Sequence, residues 1–212
     1  MTERQQTRGE EMANSLSHGF GLLAALVSAP ILIYATVNQG SLANIVGACV
    51  FSLTMAMLYL SSTLYHALPH SRAKRVLAKV DHCAIYLFIA GSYTPFALGV
   101  LNGAWGWSLF GVIWALAAFG LLMKVFDRLS HPLLSTGLYL AMGWLVLIAA
   151  VPLLERVSVN GVLWLVAGGL AYTGGVVFFL ADSRLRFGHF IWHLFVMTGT
   201  ACHYFAVLWY SA

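Results

Sequence analysis

Leu133–Leu154 reads LLSTGLYLAMGWLVLIAAVPLL, twenty-two consecutive residues without a charge. At 1.5 Å per residue this is about 33 Å of helix, and the hydrocarbon core of a bilayer is about 30 Å thick. Outward from it, six more apolar stretches of similar length are separated by charged or turn-forming residues. Together they predict spans near 18–37, 43–66, 82–101, 106–125, 133–154, 160–181 and 189–210. The expected fold is all-α: one polytopic seven-helix membrane domain over 1–212, with residues 1–17 as an N-terminal arm.

Composition agrees. Of 212 residues, 8% are charged and 60% hydrophobic, with a mean hydropathy of +0.83. A soluble domain is about a quarter charged, so both soluble globular and disordered classes are excluded. The formal net charge of +4 comes from dispersed bases that form no concentrated patch, which argues against nucleic acid. No GxGxxG, GxxxxGK or GxSxG pattern supports a soluble enzyme. Cys49, Cys83 and Cys202 are an odd number in apolar surroundings and imply packing, not a disulfide framework.

Ten of the eleven bases fall in alternate connections: Arg4 and Arg8; Arg72, Lys74, Arg75 and Lys79; Lys124 and Arg128; Arg184 and Arg186. Only Arg156 lies in the opposite set. Cytoplasmic loops retain positive charge, so the amino terminus is expected in the cytoplasm and the carboxyl terminus outside. Val27-Ser28-Ala29 faintly resembles a leader cleavage site, but Glu3, Glu10 and Glu11 make the preceding arm too acidic for one. Pro95, in Gly91-Ser92-Tyr93-Thr94-Pro95, should bend the third span, and Gly168-Gly169 with Gly174-Gly175 should bring the sixth close to a neighbour. Trp105, Trp107 and Tyr210 read as interfacial anchors.

Ionisable groups inside spans are costly and default to function. Ser62 and His66 share a helix face, as do His189 and His193, and the charge-derived topology puts these four and Asp81 at one membrane edge. Three imidazoles suit Zn²⁺ with a fourth position open to water, whose pKa falls to about 7 in well-formed sites. Asp81 would move a proton and Ser62 would steady water or an oxyanion, a set suited to hydrolysing a lipid amide or ester. The competing reading is that these histidines bond serines or carbonyls on neighbouring helices. Glu11, Asn14 and His18 lie on one face of the first helix, where they would close the mouth of the site or cap and solvate that helix. Of the others, His82 reads as structural or interfacial, His203 as bonded within the bundle, and His70 and His131, beside prolines, as exposed. Arg72, Lys74, Arg75 and Lys79 read as topology and lipid head-group residues.

These motifs resemble the haemolysin-III-related proteins, the bacterial branch of the group that includes progestin and adiponectin receptors, with a more distant similarity to alkaline ceramidases. The resemblance rests on Ser62-Thr63-Leu64-Tyr65-His66, on Asp81 and on His189-Phe190-Ile191-Trp192-His193, with Glu11, Asn14, His18 and Gly91 to Pro95 extending it over nearly the whole chain. It implies a seven-helix bundle with an inside amino terminus and Zn²⁺ on His66, His189 and His193, with Ser62 and Asp81 bonding the zinc water. The expected function is a zinc-dependent hydrolase of a lipid amide or ester in a bacterial inner membrane, with membrane lipids as partners. The alternatives are a non-enzymatic membrane sensor with structural zinc and, less favoured, a proton or ion transporter.

Overall fold

The computed structural model describes residues 4–129 and 131–211, so Glu3 of the acidic arm lies outside the described residues. The elements are α1 (Arg8–Gln39), α2 (Leu42–Ala67) and α3 (Arg72–Thr94), which a π-helical segment (Pro95–Leu101) continues, and then α4 (Gly103–Val125). α5 (Pro132–Gly143) passes through a 3₁₀ segment (Leu145–Ala149) into α6 (Ala150–Arg156), followed by α7 (Val159–Leu180) and α8 (Gly188–Tyr210). Counting α3 with its π segment and α5 with α6, seven units are long and apolar enough to cross a membrane. The outer face of α1 carries exposed Leu16, Phe20, Leu23, Val27 and Ile31, a surface that suits lipid and not water.

α1 and α3 begin well ahead of their apolar stretches because each first turn is capped in polar sequence. Thr7 and Glu10 form a reciprocal capping box, with the Thr7 N–H donating to Glu10 at 2.9 Å, and the Ser71 hydroxyl accepts from the Lys74 N–H at 3.1 Å. Hydropathy cannot register such extensions. Pro95 has no N–H and its ring crowds the preceding turn, so the third crossing widens into the π segment there. Gly91 is required one turn earlier, since a Cβ would come within 2.0 Å of Thr54 Oγ1 on α2.

The fifth crossing, expected as one helix, is interrupted. The Tyr93 hydroxyl faces the Met142 and Gly143 carbonyls at 2.8 Å each and accepts from the Val146 N–H at 2.9 Å. A side chain from α3 thus satisfies the backbone groups freed at the break, the condition for irregular backbone at membrane depth. Gly161, Gly168 and Gly175 are buried on α7, and a Cβ at Gly168 would sit 2.3 Å from the His203 ring and 3.1 Å from the Gly199 carbonyl oxygen of α8. Between helices in lipid, such close contact supplies the attraction that hydrophobic burial cannot.

The positively charged connections meet at one end of the bundle. Arg4 bonds Glu10 and the Asp182 carbonyl, Lys74 pairs with Glu11 at 2.9 Å, and Lys79 pairs with Asp127 at 2.6 Å. Arg156 bonds the Val100 and Leu101 carbonyls where the π segment closes the third crossing. Cys83 is buried and Cys202 partly so, but Cys49 is exposed on α2 and does not pack inside the bundle. Trp105 and Trp107 are exposed, whereas Tyr210 packs against Gly161.

Candidate metal centre

α2 delivers His66 from its last turn, and α8 delivers His189 and His193 from its first two turns. One ring nitrogen from each lies within 4.8 Å of the others, and the ring centroids are 4.8 to 5.1 Å apart. His66, far from the other two in sequence, is thereby joined to the α8 pair by the packing of α1 against both α2 and α8.

Each imidazole turns one particular nitrogen to an acceptor. His66 Nδ1 lies 2.8 Å from the Glu11 carboxylate, His189 Nδ1 lies 3.1 Å from that of Asp182, and His193 Nδ1 lies 3.2 Å from the Asn14 carbonyl. Because carboxylate and carbonyl oxygens only accept, Nδ1 carries the proton in all three, which leaves Nε2 with its lone pair. His66 Nε2 is buried with no partner. This fits a divalent metal that takes neutral imidazole, and the acceptors behind the rings are the outer layer that fixes tautomer and orientation.

Ser62 and Asp81 are buried and line the same cavity as His189 and His193, and the Ser62 hydroxyl has no partner. Buried polar atoms are normally satisfied. Of the eight such atoms without a partner among the described residues, five are gathered here: Asn14 Oδ1, both His18 nitrogens, Ser62 Oγ and His66 Nε2. The cavity, about 780 Å³, runs from Arg4 and His70 past the histidines to apolar Leu58, Phe88, Val196 and Trp144. That volume suits a small organic ligand or part of a lipid.

Of the α1 residues, Glu11 and Asn14 stand behind His66 and His193, while His18 lies flat on His193 with centroids 3.5 Å apart. Thr7 and Glu10 cap the helix instead. Hydropathy reasoning missed three contributors. Asp182 holds His189 from the α7–α8 connection. Ser17 sits 3.1 Å from His193 Nδ1. Lys74 is buried, not lipid-facing: its ammonium pairs with Glu11 and donates to the Tyr65 and Leu68 carbonyls at 3.0 Å each. Lys74 stands in the first turn of α3, and nothing in the sequence marks it apart from the neighbouring bases Arg72, Arg75 and Lys79. His82 Nδ1 bonds the Ala78 carbonyl and His203 Nε2 that of Leu165, so both are engaged within the bundle. His70 and His131 are exposed.

Fold and site together define a multi-pass helical membrane protein with a largely buried histidine cluster beside a cavity between its helices. Residues 6–204 match the family described as Haemolysin-III related. The chain is 43% identical over 201 residues to the "Hemolysin-3 homolog" of Bacillus subtilis (strain 168), covering 95% of this chain and 94% of the relative. It is 41% identical to the "Hemolysin-3" of Bacillus cereus over 210 residues, 99% and 95% of the two chains. The "Monocyte to macrophage differentiation factor" of Homo sapiens is 33% identical over 212 residues, 93% of this chain and 83% of that one. The chain belongs to the haemolysin-III-related family.

Proposed function

We propose that the protein is a zinc-dependent hydrolase of a bacterial inner membrane, acting on a lipid amide or ester at the cytoplasmic side. The observation that carries this reading is the common orientation of the three histidines, Nδ1 bonded outward and Nε2 left to a metal, beside a cavity that holds Ser62 and Asp81. His66, His189 and His193 would hold Zn²⁺, which when bound supplies Lewis acidity at an open coordination position. The Asp81 carboxylate takes a proton from water and returns it to the leaving nitrogen or oxygen as the carbonyl carbon exchanges that bond for one to the water oxygen. The Ser62 hydroxyl donates to the carbonyl oxygen as charge develops on it. The apolar end of the cavity excludes bulk water and receives the chain.

A purely structural zinc clamp would need neither a free buried serine hydroxyl nor a cavity beside it, so the hydrolase is favoured over the sensor. Elemental mass spectrometry on detergent-purified protein should find about one zinc per chain, lost in His66→Ala, His189→Ala and His193→Ala. Asp81→Asn should keep much of the zinc and lose turnover of lipid amides and esters. Hydrolysis that survives loss of any of the three histidines would sink the proposal.

A further inference from the structure

We infer that His18 is a lipid-binding residue, whose imidazole makes the hydrogen bond that holds the uncharged polar group of the lipid beside the three histidines. This rests on the reading that a lipid enters the cavity, and adds to it the residue and the bond.

His18 is 3% exposed and lines the cavity, and no other side chain among the described residues has two buried polar atoms without a partner. A neutral imidazole always presents one N–H and one lone pair, and native interiors rarely leave either unpaired. The neighbouring histidines show the usual outcome, since Glu11, Asp182 and the Asn14 carbonyl each accept from one of them. His18 follows Glu11 and Asn14 on the same face of α1, yet meets no such acceptor.

Its contacts are aromatic. The ring stacks on His193 at 3.5 Å with 9° between planes, and meets Tyr59 edge-on at 5.1 Å and 77°. These contacts fix the plane of the ring, and phenylalanine would serve them equally well. The two nitrogens are what phenylalanine lacks. No carboxylate or ammonium bonds the ring, so the matching ligand group is neutral and itself a donor or acceptor, such as an amide or hydroxyl. Apolar Leu58 and Val196 line the cavity with it and suit the adjoining hydrocarbon.

The test uses full-length protein in detergent and a fluorescent N-acyl amide lipid. His18→Phe should keep its zinc content and unfolding temperature but bind the probe about tenfold more weakly, the effect of one hydrogen bond. His18→Gln, which restores a donor and an acceptor, should recover part of that loss. Independently of any variant, the probe should shift the His18 ring-nitrogen resonances in protein carrying ¹⁵N-histidine. Unchanged probe affinity in His18→Phe, or unmoved resonances, would overturn the inference. So would parallel loss of zinc and probe, which would make His18 a support for His193. If wild-type protein carries no zinc, yet His18→Phe still binds the probe more weakly than wild type and His18→Gln recovers part of the loss, the hydrolase reading fails and this one stands.

Discussion

Glu11→Gln is the most informative single change, because the Glu11 carboxylate sits between two buried donors. One oxygen accepts from His66 Nδ1 at 2.8 Å and the other from Lys74 Nζ at 2.9 Å. A glutamine can accept from one of them, but then turns its NH₂ toward the other. Lys74 would keep only the Tyr65 and Leu68 carbonyls, or His66 would lose the acceptor that fixes its tautomer. Changes to such outer partners weaken metal binding by about tenfold to a hundredfold. The Glu11 side chain is 19% exposed, so water offsets part of the loss, and the stability cost should be about 1–2 kcal/mol. The assay is zinc retention against increasing chelator, read beside thermal unfolding. Lys79→Ala is the control. It breaks an ion pair whose side chains are 45% and 68% exposed, costs at most about 1 kcal/mol, and should leave the chelator curve unmoved. Surrender of zinc at the same chelator concentration by Glu11→Gln and wild type would refute the argument that Glu11 positions His66.

Gly168→Ala should destabilise the protein by about 1–3 kcal/mol through collision with His203 and the α8 backbone, while Gly137→Ala, with open space around it, should be neutral in the same unfolding assay. Tyr93→Phe should cost about 1–3 kcal/mol by unpairing the break in the fifth crossing, seen as a lower unfolding temperature and faster hydrogen exchange at Val146. With the native cysteines replaced, Arg184→Cys should be labelled only from the cytoplasm and Arg156→Cys only from outside. Labelling of both from one side would overturn the orientation drawn from the charge bias.

Much of the site was legible because helices impose spacing. His189 and His193, four residues apart, had to share a face, and the alternating bases had to share an end, which put Ser62, His66 and Asp81 at the depth of the α8 pair. The outer partners were hidden for a physical reason. Asp182 reaches the site from the α7–α8 connection and Lys74 from the first turn of α3, and neither hydropathy nor spacing says which way a polar side chain at such an end turns.

The sequence alone therefore determined seven crossings, the common end of the charged connections and the candidate ligand histidines, since bilayer thickness, charge asymmetry and helical period act locally along the chain. Tertiary packing alone decided which nitrogen each histidine keeps free, that Lys74 is buried against Glu11, and that Tyr93 supports a break in an otherwise uninterrupted apolar stretch. Those outcomes depend on hydrogen bonds between residues as far apart as Asn14 and His193, and such bonds form only when the helices have met.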